Sequence, residues 1–214
     1  MDGAFDKREH VAACRRLPQA VDAARLQREV AALPAALWDN VRAPVHRETR
    51  SLFLKGHAPL LKIEGDPEQP PLDDCPYIRE LLYGLLSGVP GKCLLASLRP
   101  VGIVYPHKDI DNDYFVRSFR VHLPVFTNPQ VRFYCNGRFF HMAAGEVWTV
   151  NNLAPHAVVN DHPSESRVHL IFDVFPSQEG IARVDAAPEA EGMDEPALFA
   201  RLSGQRPADA QVMD

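Results

Sequence analysis

From residue 92 onward the chain is a succession of short apolar runs separated by turn residues, and that rhythm leaves few folds open. The runs cover 92–98, 101–106, 116–125, 131–135, 138–142, 146–150, 156–159 and 167–175. Asn128-Pro129, Asn136-Gly137, Ala144-Gly145 and His162-Pro163 interrupt them. Asn136-Gly137, between FYC and RFF, is the strongest hairpin signal, because both positions of a tight two-residue turn require positive φ. Many short strands at even spacing predict a β-sandwich or barrel. The 19 prolines suit frequent turns better than long helices.

Upstream the period changes. Val21, Ala24, Leu26, Val30 and Leu33 have helical spacing and predict a helix within 17–34. Ile78, Leu81, Leu82, Leu85 and Leu86 predict a second helix over 76–87, with Gly88 just past its end. Thr49–Leu54 and Leu60–Ile63 read as strands. The expected organisation is one mainly β domain over 1–178, with N-terminal covering helices. Residues 176–214 hold eight acids against three bases, which accounts for the whole net charge of −5. Rich in Ala and Pro, 179–214 is expected to be a weakly ordered acidic tail with one short helix near Glu195–Leu202.

Composition excludes some partners. Without a basic excess, a nucleic-acid footprint is not expected. No apolar run approaches the roughly 18–20 residues that span a bilayer, so no membrane partner is expected. The N-terminal MDGAFDKREH lacks the apolar stretch of a signal peptide. Cys14, Cys75, Cys93 and Cys135 are far apart with no CxxC, which points to a reducing, cytoplasmic compartment.

Two strands carry polar residues on one face. In 116–125 (VRSFRVHLPV) the alternation puts Arg120 and His122 together with Ser118 and Pro124. In 167–175 (RVHLIFDVF) it groups Arg167, His169, Ile171 and Asp173. Two readings are open: faces turned to water, as antiparallel sheets allow, or the lining of a barrel built to hold a small anion. The second draws on arginine, whose planar fork grips a carboxylate through two parallel hydrogen bonds.

His107 and Asp109 form an H-x-D at the end of an apolar strand (GIVYPHKD), and His156 follows another (EVWTVNNLAPH). Two imidazoles and a carboxylate can occupy one face of an octahedral Fe(II), leaving positions open for substrates and O2. An H-x-D alone is a weak signal; His156, and Arg167 eleven residues beyond it, strengthen this one. Asp111 and Asp113 compete for the carboxylate role and are read as loop residues. Asn151 and Asn152 are read as turn formers or substrate donors, and His169 as a hydrogen-bonded structural residue.

The segments PHKD, FRVHLPV, GEVWTVNNLAPHAVVN and RVHLIFDV, in this order within His107–Phe175, resemble the aspartyl/asparaginyl β-hydroxylase family of 2-oxoglutarate-dependent dioxygenases. HRETRSLFL (His46–Leu54) is similar to that family's early strand. The resemblance implies a double-stranded β-helix, a jelly roll of the cupin type. It implies His107 and His156 as iron ligands, with Asp109 completing the triad that vertebrate members lack. It implies Arg167 on the distal carboxylate of 2-oxoglutarate, with Arg120 and His122 also contacting that co-substrate. The implied cofactors are Fe(II), 2-oxoglutarate and O2. The implied activity is hydroxylation of an unactivated C–H in a small amino acid or peptide-like substrate, as in the bacterial free amino-acid hydroxylases. Two alternatives remain: the same chemistry on a protein Asp/Asn residue or a larger metabolite, and a non-catalytic cupin-like binding protein.

Overall fold

The computed structural model describes residues 5–38, 40–41, 44–57 and 66–204. The strand expected at Leu60–Ile63 lies outside them. Along the chain run β1 (Cys14–Ala20), α1 (Ala23–Ala32), β2 (Asn40–Val41), β3 (Thr49–Lys55), α2 (Pro76–Gly84), β4 (Gly88–Leu98), β5 (Gly102–His107) and α3 (Asp113–Val116). They are followed by β6 (Phe119–Phe126), β7 (Val131–Cys135), β8 (Arg138–Phe140), β9 (Glu146–Val150), β10 (His156–Asn160), β11 (Arg167–Pro176), α4 (Gln178–Asp185) and α5 (Pro196–Gly204). The strands form a seven-stranded sheet, β1-β9-β6-β11-β4-β3-β2, and a four-stranded sheet, β5-β10-β7-β8. All of their pairings are antiparallel. This is the predicted double-stranded β-helix with flanking helices.

Side-chain alternation explains the layering. Val121, Leu123 and Val125 of β6, and Val168, Leu170, Phe172 and Val174 of β11, join one apolar cluster with Leu26 and Val30 of α1 and Ile78, Leu81 and Leu82 of α2. The helices thus cover one face of the large sheet. The other face of the same strands carries Arg120, His122, Arg167, His169 and Asp173, all buried. Of the two readings open for these faces, water contact is excluded: they line the interior between the sheets. The hairpin at Asn136-Gly137 forms as predicted, with φ of 46° and 88°.

Three local expectations change. Residues 14–20 form a strand where helical spacing was extended back to residue 17; β1 pairs with β9 at the sheet edge, a place where Pro18 is tolerated. The strand expected from 116 begins at Phe119, because the Asn112 side chain accepts the Phe115 N–H at 3.0 Å and caps the short helix α3. The helix expected to reach 87 ends at Gly84, and Gly88 already opens β4.

Beyond the expected domain end at 178, the described residues of the acidic segment, through 204, make contacts with the β domain. Ser177 caps α4, Met193 exchanges backbone hydrogen bonds with Phe139, and Leu202 is fully buried with Tyr134, Phe139, Ala157 and Val159. The acids find bases on the barrel: Asp185 meets His10, Glu189 meets Arg15, and Glu195 meets Arg132. These partners are remote in sequence, so charge counting could not reveal the pairing. Leu202→Ala is expected to lower unfolding free energy by about 2–5 kcal/mol. Urea denaturation checks this, and a loss near zero would restore the detached tail.

Candidate metal and anion site

The site lies between the sheets. His107 ends β5 and His156 begins β10, and the two are directly paired Cα partners. Their ring centroids are 4.2 Å apart. Each Nδ1 faces a carbonyl two residues back, His107 toward Tyr105 O at 2.7 Å and His156 toward Ala154 O at 3.1 Å. A carbonyl only accepts, so each Nδ1 carries the proton and each Nε2 presents its lone pair. Asp109 sits two residues beyond the strand, held by its N–H to Asn152 O at 2.9 Å. One donor atom from each of the three residues lies within 4.8 Å of the other two. Two imidazole nitrogens and one carboxylate oxygen at that spacing suit a first-row divalent metal such as Fe(II).

Asp109 is fixed from behind. Its Oδ2 accepts from Arg120 Nη1 at 2.5 Å and from Asn152 Nδ2 at 2.7 Å, leaving Oδ1 as the atom 3.8 Å from His107 Nε2. Burial is the largest single influence on Asp109 and opposes its charge, but the Arg120 guanidinium, the two histidines and the Asn152 amide together outweigh it and hold the carboxyl well below its ordinary range. Arg120 is itself gripped by Asp173 in a two-point pair, Nε to Oδ1 at 2.9 Å and Nη2 to Oδ2 at 3.0 Å. Arg120, expected to contact a co-substrate, here contacts two protein carboxylates, Asp109 and Asp173. Asp111 is displaced from the site and pairs with Arg8 near the surface.

Deeper in the same cavity lies Arg167, 3% exposed. Its Nη2 donates to His169 Nδ1 at 2.5 Å, and His169 Nδ1 is 3.5 Å from His122 Nδ1. Among the described residues no carboxylate pairs with it. The Arg167 Nε and the His169 Nε2 have no hydrogen-bond partner among those residues, and burial lowers the guanidinium pKa to about 9. A buried cation with unused donors is costly unless an anion joins it. The cavity lined by Arg167, Asp109 and His156 is also lined by Leu94, Ala96, Ile171 and His122.

Burial drives His156 down to about 3 and, with the charge of Arg167, holds His122 and His169 well below their usual 6.5. All are neutral in the fold at pH values where the unfolded chain protonates them. The unfolded state therefore binds more protons, and stability present above pH 6.5 is lost as pH falls. Each contributes up to about 1.4 kcal/mol per pH unit. Urea unfolding of metal-free protein between pH 7.5 and 5 is expected to show this decline (about three side chains' worth at most); a flat profile would contradict it.

The structure brings together all six residues singled out from sequence, His107, Asp109, His156, Arg120, His122 and Arg167. Sequence reading missed Asp173 and Lys7 and left Asn152 undecided. Asp173 had one usable signal, its place on the polar face of its strand opposite Arg120. Lys7 had none.

A family model described as aspartyl/asparaginyl beta-hydroxylase matches residues 22–176. An L-proline cis-3-hydroxylase from a Streptomyces species is 30% identical over 131 residues, covering 56% of this chain and 44% of that relative, so the match spans less than half the relative's length. A 2OG-Fe(II) oxygenase family oxidoreductase from Burkholderia pseudomallei has the same fold, with a TM-score of 0.56 at 17% identity over 83% of this chain and 90% of that one. A Trichoplax adhaerens prolyl hydroxylase, solved with a hypoxia-inducible-factor peptide, superposes with a TM-score of 0.54 at 12% identity over 84% of this chain and 89% of that one. Among the described residues no helix is long and apolar enough to cross a membrane.

Proposed function

The chain belongs to the aspartyl/asparaginyl β-hydroxylase family, and from that premise we propose that it is an Fe(II)/2-oxoglutarate-dependent dioxygenase hydroxylating an unactivated C–H of a small amino acid or peptide-like substrate. The observation that carries this reading is one cavity lined by Asp109 and His156, which cluster with His107, and by the buried Arg167, which has no carboxylate partner among the described residues. The match to an L-proline hydroxylase supports an amino-acid substrate.

His107, His156 and Asp109 would hold the iron. Bound there, iron would supply the O2 activation and C–H oxidation that side chains cannot, with 2-oxoglutarate converted to succinate and CO2. The protein supplies orientation and exclusion. Arg167 takes the distal carboxylate of 2-oxoglutarate through the donors left free by His169. His122 and His169, kept neutral by burial, offer nitrogen donors or acceptors without adding a second positive charge. Arg120 sets Asp109 instead of binding co-substrate. Leu94, Ala96, Val104 and Ile171 keep the wall beside the reacting centre apolar, which limits water. The four free, buried cysteines support a reducing, cytoplasmic setting.

The test is succinate release by protein loaded anaerobically with Fe(II), then given O2, 2-oxoglutarate and a panel of free amino acids. Amino-acid-dependent succinate supports the reading, and a panel-wide absence refutes the amino-acid substrate. Arg167→Met is expected to raise the 2-oxoglutarate requirement about 100-fold, equivalent to ~2.7 kcal/mol. It is also expected to leave the ligand-free protein as stable as the parent or more so, because a buried uncompensated cation is removed. An unchanged 2-oxoglutarate requirement would take Arg167 out of the site.

A further inference from the structure

Lys7 is a residue with no sequence signal and an unusual position. It opens a short 3-10 turn, Lys7–Glu9, capped by the Asp6 side chain on the Arg8 N–H. The turn precedes the stretch that matches the family model. Its side chain is fully buried. The Nζ donates to Asn152 Oδ1 and lies 6.0 Å from the Phe115 ring, over which the Arg120 guanidinium also sits at 4.8 Å. Burial and the neighbouring Arg120 bring its pKa down to about 7. Methionine would fill similar space without burying an amine, so packing alone gives no reason for lysine here.

The contact with Asn152 supplies a reason. A carboxamide has a donor end and an acceptor end, and either can face a neighbour. A protonated lysine amine only donates, so it selects the oxygen of Asn152. That choice turns the Asn152 NH2 toward Asp109 Oδ2, at 2.7 Å. The reversed amide would set its oxygen against the carboxylate. With Arg120 on the same Oδ2, both supporting donors engage one oxygen and leave Oδ1 for the histidine side.

We infer that Lys7 is a positioning residue of the metal centre: acting through Asn152, it fixes Asp109 as a ligand through a single oxygen. The inference rests on the metal-binding reading above.

Co(II) titration of the metal-free protein tests it without turnover, with affinity and visible d–d spectrum as readouts. Lys7→Met and Asn152→Ala are each expected to weaken Co(II) binding about tenfold, the lower end of the effect of outer-shell partners. The double variant is expected to bind no more weakly than Asn152→Ala, because both changes break one chain of contacts. A folded Lys7→Met protein with the parent's Co(II) affinity and spectrum would overturn the inference, whatever its melting temperature. Losses that multiply in the double variant would overturn it too. If Lys7→Met does not fold, Lys7→Gln, which retains a polar head, is judged on the same two readouts. A parent that fails to bind Co(II) overturns the metal reading and this inference together; a binding parent with an unaltered Lys7 variant overturns this inference alone.

Discussion

Asp109→Ala is expected to reduce amino-acid-dependent succinate formation by at least about 100-fold, since outer-shell losses alone already reach 10–100-fold at metal sites. Three effects coincide at this residue. The cluster loses its only carboxylate, leaving two neutral imidazoles whose ring centroids are 4.2 Å apart. Arg120 Nη1 and Asn152 Nδ2 lose a shared acceptor. The positive charge of Arg120, neutralised from two sides in the parent, then faces the metal position with one carboxylate fewer. Iron content after anaerobic loading, with succinate yield, measures the effect. A parental rate in Asp109→Ala would mean that the two histidines suffice, as in vertebrate members of the family.

Asp173→Ala is expected to be the more damaging change for the fold. Asp173 is 1% exposed and lies directly across from Arg120 between β11 and β6, paired at two points. Removing one partner of such a pair strands a buried guanidinium, at about 3–5 kcal/mol. For a chain of this size that corresponds to a melting temperature lower by roughly 10 °C. The site suffers as well, because the same guanidinium holds Asp109 Oδ2. Asp173→Asn retains shape and one acceptor oxygen and is expected to fall between parent and Asp173→Ala. Thermal unfolding of the metal-free proteins decides it. An Asp173→Ala melting temperature within about 2 °C of the parent, less than 1 kcal/mol, would show that Arg120 needs no counter-ion there.

Local signals account for what was legible. Asn136-Gly137 required positive φ, and the hairpin is there. The alternation of FRVHLPVF and RVHLIFDVF assigned Arg120, His122, Arg167 and His169 to shared faces before any partner strand was known. An H-x-D at one strand end and a histidine a short loop after another strand singled out three residues whose donor atoms lie within 4.8 Å of one another. What escaped depends on contacts between distant positions. β1 was absorbed into the helical pattern of α1, because its pairing with β9 crosses more than a hundred residues. The acidic segment looked solvated because His10, Arg15 and Arg132, which meet its carboxylates, are scattered along the chain. The carboxylate partners of Arg120 were not legible either, because only the register β6–β11 sets Asp173 opposite it. Lys7 reaches Asn152 across 145 positions, and no periodicity encodes that.

The central claim is that His107, Asp109 and His156 hold Fe(II) within reach of a 2-oxoglutarate anchored by Arg167. The anaerobic difference absorption spectrum tests it most directly, because a weak visible metal-to-ligand charge-transfer band requires metal and co-substrate to be joined. The parent is expected to develop that band only when Fe(II) and 2-oxoglutarate are both present, and His156→Ala is expected to lack it. No band in the parent, or a full band in His156→Ala, would contradict the account.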